Sequence, residues 1–176
     1  RRSVIALADV AGTPTSLEYF FGGEHSFQIN PPASATLPWP MEQGAPIPIY
    51  MRGAIDRVDR TADGALLIID YKTGVGGHDS RSDMTNGKKL QLAIYTLAAA
   101  QNAGGEHAIN AFYFFVHEGR AAKWSLSGTT SSPDSAILVA MNHAGRAVAG
   151  IRGGSFAPTP PADGCPDYCA AAAFCW

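Results

Sequence analysis

Three ionisable residues stand in two short apolar runs of the segment GAIDRVDRTADGALLIIDYKTG, residues 53–74. Asp56 belongs to the first run, and Asp70 and Lys72 belong to the second. Ionisable residues are uncommon in buried strands, so their presence indicates either exposed strands or charges with a chemical task. The ADG between the runs, residues 62–64, predicts a three-residue hairpin loop with its glycine in the left-handed conformation.

This loop sets the register of the predicted hairpin. It pairs Val58 with Ile68 and therefore places Asp56 directly opposite Asp70, with Cβ atoms about 5 Å apart. Because side chains alternate across a strand, Lys72 shares a face with Asp70. The same alternation groups five residues on one face of the first strand: Arg52, Ala54, Asp56, Val58 and Arg60.

Two facing carboxylates repel each other unless a cation lies between them. Hard oxygen ligands at this separation suit Mg²⁺ or Mn²⁺, which keep several waters and bind substrate phosphates. A lysine beside such a metal orients or deprotonates a water, or stabilises charge on a phosphate. The pattern therefore favours phosphodiester hydrolysis.

A plainer alternative is a surface hairpin with a cross-strand Asp–Lys pair, which contributes little to stability. Against it stands the run ALLIID, residues 65–70, which is apolar on both faces and predicts a buried strand. Unpaired carboxylates are costly in such a strand.

The surrounding elements predict a mixed α/β (α+β) domain, with a central sheet flanked by helices. Residues 16–23 and 25–29 are aromatic-rich and predict a strand pair, whereas residues 49–60 predict one strand. KKLQLAIYTLAAAQN predicts a helix from about Lys88 to Gln101. The apolar run 108–119 predicts a strand paired with a further strand in 121–128. Residues 131–154 predict a second helix, with Ser132 as its cap and Pro133 at its first position.

The composition of the 176 residues is that of a globular chain, with 46% hydrophobic and 16% charged residues. We expect one domain, residues 1–176, whose last part, 157–176, is a Pro- and Cys-rich tail. The net charge of −2 offers no global basic field. No apolar run is long enough for a bilayer, so no membrane partner is expected.

The ends of the sequence suggest a piece of a longer protein, expected to be a C-terminal fragment, because no initiator Met or signal-peptide core is present. All 3 cysteines fall within the last twelve residues. A secreted disulfide framework would spread an even number through the fold, so a cytoplasmic location is expected.

The segments GAIDRVD, GALLIIDYKTG and QLAIY, in this order over residues 53–95, resemble the core signature of the PD-(D/E)xK nuclease superfamily. Within it, they are most similar to RecB-type nuclease domains of bacterial helicase–nuclease complexes. The resemblance implies a restriction-endonuclease-like fold and a Mg²⁺-dependent deoxyribonuclease of DNA recombination and repair. An exonuclease is favoured over an endonuclease, with DNA as substrate and a helicase subunit or domain as partner. Two alternatives stay open, a non-catalytic DNA-binding or scaffolding version of the fold and a small β-rich binding module with an accidental match.

The resemblance also implies a role for individual residues. Asp56 and Asp70 would bind the metal together with the backbone carbonyl of Tyr71, and Lys72 would be the catalytic lysine. Glu18 lies where relatives carry a glutamate on the strand before the hairpin, which implies a further metal ligand. Relatives also have an N-terminal helical segment with a histidine or acidic residue near the metal, which does not appear in this sequence.

Two helical residues complete the implied site. Gln91 and Tyr95 are four residues apart and so share one helix face, where they would bracket the site and contact DNA. Their ordinary interpretation is a surface glutamine and a tyrosine at the edge of the core. The histidines show no metal-ligand spacing and are expected in loops or solvent: His25, His78, His107, His117 and His143.

The tail carries Cys165, Cys169 and Cys175 in the spacing C-x3-C-x5-C. Thiolates suit iron–sulfur or zinc, and a closed site of either kind takes four ligands. The resemblance implies a 4Fe–4S cluster in the intact parent, with a fourth cysteine far upstream, and no complete cluster in this piece. The alternative is three small apolar cysteines that pack a C-terminal turn.

Overall fold

The computed structural model describes residues 12–23, 27–33, 35, 37–74, 81–102, 108–123, 125–126, 133–157 and 169. The strands in these ranges are β1 (Thr13–Phe21), β2 (Phe27–Ile29), β3 (Met41–Glu42), β4 (Ala45–Pro46), β5 (Ile49–Met51), β6 (Gly53–Arg60), β7 (Leu66–Lys72), β8 (Ala108–Phe115) and β9 (Arg120–Ala121). The helices are α1 (Arg81–Thr85), α2 (Gln91–Asn102) and α3 (Pro133–Arg152).

The main sheet has 5 strands in the order β1-β6-β7-β8-β9. β1–β6, β6–β7 and β8–β9 are antiparallel pairs, whereas β7 and β8 run parallel. A parallel pair requires a long crossover connection, and the segment between β7 and β8 contains α1 and α2. The expected mixed α/β fold with a central mixed sheet flanked by helices is confirmed.

The hairpin loop between β6 and β7 has the predicted form. The Thr61 amide donates to the Ala65 carbonyl at 2.9 Å, and the Gly64 amide donates to the Thr61 carbonyl at 2.9 Å. Gly64 has φ 90°, a left-handed conformation that glycine adopts without steric cost. Val58 pairs with Ile68, as the three-residue loop requires.

The predicted pairing of the first two strands is wrong. β1 pairs with β6 and β2 pairs with β5, in separate sheets. The physical reason lies between them, where Gly22 and Gly23 have φ 74° and 85° and turn the chain out of β1. The strand predicted over 49–60 is likewise divided at Arg52 into β5 and β6.

The predicted helices are present with shifted bounds. α2 begins at Gln91 instead of Lys88, and α3 occupies Pro133–Arg152. The proposed cap Ser132 lies outside the described residues. In the described part of the chain, no helix has the length and apolarity needed to cross a membrane.

Both faces of β7 are buried, as its apolar run indicates. Leu66 and Ile68 belong to the main core, to which α2 and α3 contribute their apolar sides. Leu67 and Ile69 belong to a smaller cluster with Phe112 and Phe114 of β8. Asp70 ends this run and is itself only 2% exposed.

The regular alternation of β6 is interrupted near Asp56. Ile55 and Val58 are both buried in the main core, although a regular strand would direct residues three apart to opposite faces. Glu18, which lies opposite Asp56 in the β1–β6 register, has φ 49°. Glu18 lies on β1, so its conformation does not set the direction of side chains on β6. The burial of Ile55 and Val58 in one core is what shows that the expectation that Ala54, Asp56 and Val58 share one face is wrong.

Candidate active site

Asp56 is fixed against the neighbouring strand by its own carboxylate. The paired positions of β6 and β7 run from Arg60–Leu66 to Arg57–Ile69. At the next position, Asp56 Oδ2 accepts a hydrogen bond of 2.7 Å from the backbone amide of Tyr71. The half-buried carboxylate of Asp56 therefore lies beside the Asp70–Tyr71 peptide.

Asp70 and Lys72 form an ion pair at the end of β7. Lys72 Nζ lies 2.5 Å from Asp70 Oδ2, and the two side chains are 35% and 3% exposed. The ammonium group also lies 4.8 Å from the ring centroid of Tyr113, within range of a cation–π interaction. Lys72 thus connects a buried carboxylate to a partly solvent-accessible position.

The first turn of α2 extends this chain of contacts. Gln91 Oε1 accepts a hydrogen bond of 3.0 Å from Lys72 Nζ, and Gln91 Nε2 donates to Tyr95 Oη at 2.9 Å. The ring of Tyr95 meets that of Phe21 edge-on, with 5.8 Å between centroids. The structure therefore brings Gln91 and Tyr95 to the same place as Asp70 and Lys72.

The backbone of Tyr71 faces the same side as the Asp56 carboxylate. The Lys72 carbonyl accepts a 3.0 Å hydrogen bond from Val116, beyond the end of β8. In a strand, the N–H and C=O groups of one residue point toward the same neighbouring strand. Those of the next residue point toward the strand on the other side. Because the Tyr71 amide reaches Asp56 on β6, the Tyr71 carbonyl faces that side as well.

A second ion pair, which the sequence did not single out, lies on the reverse side of this segment. Arg57 Nε and Nη2 donate to the two carboxylate oxygens of Asp59 at 2.6 and 2.8 Å. Arg57 Nη1 lies 3.4 Å from Tyr71 Oη. The hydrogen bond to Asp59 raises the pKa of Arg57 above its ordinary value. The i, i+2 spacing in the motif IDRVD is the signal that could have identified this pair.

The other metal and cofactor ligands predicted from the sequence are Glu18 and the three cysteines. Glu18 lies in the register position opposite Asp56, with an exposed side chain. Cys165 and Cys175 lie outside the described residues, and Cys169 is a half-buried free thiol.

Two of the histidines lie in the described part of the chain. His117 is exposed, and His143 Nε2 lies 2.9 Å from the Thr85 carbonyl. The other three, His25, His78 and His107, lie outside it.

The charges of this cluster fit a divalent cation. Asp56 and Asp70 each contribute a carboxylate, and Lys72 contributes one ammonium group, which leaves a negative excess. Among the residues described, no group of three or more His, Cys, Asp or Glu side chains could hold a metal. Mg²⁺, however, is usually bound through one or two carboxylates and several waters. The two aspartates and the Tyr71 carbonyl are a suitable set of hard oxygen donors.

Comparison with known protein families identifies the superfamily of the chain. The model of the PD-(D/E)XK nuclease superfamily matches residues 6–176. The chain belongs to this superfamily. Its members generally use divalent metals such as Mg²⁺. In the sequence, Asp70, Tyr71 and Lys72 match the letters (D/E)XK of the superfamily's description.

Two curated relatives match the chain more locally. An ATP-dependent helicase/deoxyribonuclease subunit from Streptococcus equi subsp. zooepidemicus strain MGCS10565 is 41% identical over 70 residues. The same protein from strain H70 gives the same identity over the same length. The match covers 40% of this chain and 6% of either relative. The superfamily resemblance drawn from the sequence is confirmed.

Proposed function

We propose that this PD-(D/E)XK domain is a divalent-metal-dependent deoxyribonuclease that hydrolyses phosphodiester bonds of DNA. The observation that carries the proposal is the continuous cluster Asp56–Tyr71 and Asp70–Lys72–Gln91. It combines two carboxylates, one ammonium group and a backbone carbonyl in a chain of the nuclease superfamily. Asp70 is only 2% exposed, and a scaffolding role alone would not offset the cost of burying its carboxylate.

Asp56, Asp70 and the Tyr71 carbonyl are the groups that would hold Mg²⁺ or Mn²⁺. The exposed Glu18 is proposed as a further ligand on the strength of its register position alone. The bound cation would polarise the scissile phosphate and lower the pKa of water. The Tyr71 amide holds Asp56 Oδ2 at 2.7 Å, so this carboxylate is oriented before any metal binds.

Lys72 is proposed as the group that positions water or stabilises charge on the phosphate. Its ammonium group has three N–H donors. Gln91 Oε1 accepts one of them, and Asp70 pairs with the ammonium group electrostatically. Gln91 and Tyr95 hold the ammonium from the helix side and would contact the DNA strand.

The decisive experiment compares cleavage of labelled DNA by the wild-type chain, Asp70→Asn and Lys72→Met, in Mg²⁺ and in EDTA. Lys123→Met is the matched control, because Lys123 is exposed and far along the chain from the cluster. We expect Mg²⁺-dependent cleavage by the wild type and the control alone. Folded wild-type protein that binds DNA without cleaving it in any divalent metal would instead favour the non-catalytic version of the fold.

We further propose exonucleolytic action beside a helicase in DNA recombination or repair. The support is the printed name of the two relatives, which joins an ATP-dependent helicase to a deoxyribonuclease. The chain matches only 6% of each relative, so the helicase would be another domain or subunit. Cleavage of linear DNA with closed circular DNA left intact is the expected result, and rapid cleavage of circles would contradict exonuclease action.

A 4Fe–4S cluster is proposed for the intact parent protein only. The chain contains 3 cysteines, whereas a closed cluster site takes four thiolates. Iron and sulfide analysis of the anaerobically purified parent should give about four of each per chain. Colourless, iron-free parent protein whose stability is unchanged by Cys169→Ser would contradict the cluster.

A further inference from the structure

The ion pair of Arg57 and Asp59 lies on the face of the sheet opposite to Lys72. In the β6–β7 register, Arg57 pairs with Ile69 and Asp59 pairs with Leu67. Ile69 and Leu67 belong to the smaller apolar cluster. Lys72 is directed to the other face, because side chains alternate along β7. Any effect of the ion pair on the proposed metal site must therefore pass through the hairpin itself.

Stability alone does not account for this ion pair. The Asp59 side chain is fully buried, and that of Arg57 is 13% exposed. Two hydrogen bonds of 2.6 and 2.8 Å join the guanidinium to the two carboxylate oxygens, which is a bidentate geometry. Desolvation cancels much of the attraction in such a pair, and apolar residues of similar volume are often equally stabilising or more so. What a bidentate pair supplies beyond stability is a fixed orientation of both side chains.

Tyr71 is the residue that Arg57 reaches across the hairpin. Arg57 Nη1 donates a long hydrogen bond of 3.4 Å to Tyr71 Oη. The ring of Tyr71 also meets that of Phe114 edge-on, with 6.2 Å between centroids and an interplanar angle of 89°. The ring is therefore held from β6 on one side and from β8 on the other. Because the ring is attached to the Tyr71 backbone, these contacts restrict the rotation of the two peptide groups of this residue.

Arg57 thereby connects two residues that contribute oxygen donors to the proposed metal site. It directly follows Asp56 in β6, and its guanidinium contacts Tyr71 of β7. On the side of the site, Asp56 Oδ2 accepts the 2.7 Å hydrogen bond from the Tyr71 amide. In the part of the chain that the structure describes, Arg57–Ile69 is the last paired position of the hairpin before the site. The spacing of the two strands beyond it therefore depends in part on these two side-chain contacts.

We propose that Arg57 and Asp59 are positioning residues, which hold the Asp56 carboxylate and the Tyr71 carbonyl in the relative geometry that a divalent cation needs. The inference rests on the proposed metal-dependent function and assigns a role in it to a pair outside the donor set. Mg²⁺ demands near-ideal octahedral geometry, so a small displacement of one donor weakens its binding. Asp59 also offsets the charge of Arg57, which would otherwise repel a cation bound at the neighbouring Asp56.

The affinity for Mn²⁺ tests the role in metal binding. The double variant Arg57→Met/Asp59→Leu removes the pair without leaving a buried charge, so its melting temperature in EDTA should stay within about 4 °C of wild type. A titration without DNA, in which the EPR signal reports free Mn²⁺, should show an affinity about 10- to 100-fold weaker than that of wild type, the usual effect of losing groups that orient metal ligands. The matched control Glu42→Gln/Arg152→Gln removes an exposed ion pair between β3 and α3 and should bind Mn²⁺ as wild type does.

Hydrogen exchange of the Tyr71 amide tests the geometry without metal or DNA. In EDTA, this amide should exchange about tenfold faster or more in the double variant than in wild type, because its hydrogen bond to the charged Asp56 carboxylate is weakened. The amides of Ile68 and Ile69 report on the rest of β7 and should exchange at the wild-type rate. A purely structural role of the ion pair would instead change the exchange of all three amides together.

Arg57→Lys keeps the positive charge beside Asp59 and removes only the bidentate geometry. This variant retains an ion pair, so it provides the same test if the double variant does not fold. We expect about tenfold weaker Mn²⁺ binding and faster exchange of the Tyr71 amide. Wild-type Mn²⁺ affinity in Arg57→Lys would show that only the charge of residue 57 matters, and it would overturn the positioning role.

The outcomes separate this inference from the nuclease proposal. A wild-type chain that binds no Mn²⁺ would contradict the proposed function and the inference together. Wild-type Mn²⁺ affinity in a folded double variant, or an unchanged exchange rate of its Tyr71 amide, would overturn the inference alone and leave the ion pair as a buried contact of the fold.

Discussion

Replacement of Lys72 by methionine removes the ammonium group that lies 2.5 Å from the buried carboxylate of Asp70. At this separation an effective dielectric constant of about 20 gives an attraction of about 7 kcal/mol. Desolvation of both groups offsets part of it, and the 35% exposure of the Lys72 side chain screens it further. Because Asp70 would keep its buried charge without the cation, we expect a net loss of about 2–4 kcal/mol of unfolding free energy.

Thermal unfolding in EDTA at pH 8 measures this loss. For a chain of 176 residues, 1 kcal/mol corresponds to about 2–4 °C, so the melting temperature of Lys72→Met should fall by about 4–16 °C. Added Mg²⁺ should reduce the deficit, because a bound cation replaces the positive charge that the substitution removes.

The activity of the same variant provides the second half of the test. Loss of a group that moves a proton or stabilises phosphate charge lowers kcat by about 10²–10⁴-fold. Lys123→Met should retain both activity and melting temperature. If Lys72→Met were as stable as the control in EDTA and cleaved DNA at the wild-type rate, the electrostatic account of this cluster would be refuted.

Three further outcomes follow from the same geometry. Asp70→Asn should abolish DNA cleavage and the increase in melting temperature on Mg²⁺ addition. Its unfolding free energy in EDTA should stay within about 1 kcal/mol of wild type, since Asp56 loses a repulsive neighbour. A melting temperature that still rises with Mg²⁺ would exclude Asp70 as a ligand. Gln91→Ala should lower kcat about 10- to 100-fold, and Tyr95→Phe should lower it about 2- to 10-fold. Because both residues act through one chain of hydrogen bonds, the double variant should be no worse than Gln91→Ala. Additive losses would show that the two residues have separate roles. The hydrogen bond from Thr61 lowers the pKa of Asp63. The stabilisation that this hydrogen bond contributes is therefore present above the ordinary carboxyl pKa and is lost as the pH falls through the lowered value. In Thr61→Val, NMR titration should show the Asp63 pKa returning toward its ordinary value, and an unchanged pKa would contradict this cause.

The β6–β7 hairpin could be predicted because its information is local. The sequence ADG specifies the loop, and the loop specifies the Val58–Ile68 register. The position of Gln91 beside Lys72 was likewise expected from the superfamily resemblance, and helical spacing then placed Tyr95 one turn further. The hairpin needed only a turn type, whereas the position of Gln91 needed the resemblance and that of Tyr95 a helix period in addition.

The partners of β1 and β2 could not be predicted because they depend on contacts between distant parts of the chain. Thr15 Oγ1 on β1, for example, donates to the Val58 carbonyl, 43 residues away. Two adjacent aromatic strands with a Gly-Gly link satisfy the sequence pattern of a hairpin equally well. In the fold, β1 pairs with β6 and β2 pairs with β5 instead of with each other. Residues 16–29 alone contain no information about these two partner strands.

The surroundings of Asp56 combine a register that could be predicted with a side-chain direction that could not. The β1–β6 register is the same at Arg57 and at Ile55, on either side of Asp56. Side-chain direction changes within this stretch of β6, since Ile55 and Val58 both enter the main core, and on β1 the facing residue Glu18 has φ 49°. No glycine or asparagine marks this position in the sequence, although a left-handed conformation costs other residues about 1 kcal/mol or more.

The contacts of Asp56 bear on the chemistry of the site. Its carboxylate accepts a hydrogen bond of 2.7 Å from the Tyr71 amide, which holds it against β7. The Tyr71 carbonyl faces the same side of β7, so these two proposed oxygen donors lie at one backbone segment. The strained residue is Glu18, which lies in register with Asp56 on β1 and is itself proposed as a metal ligand. Backbone strain persists where the surrounding structure holds it, and here it coincides with the residues proposed to bind the metal.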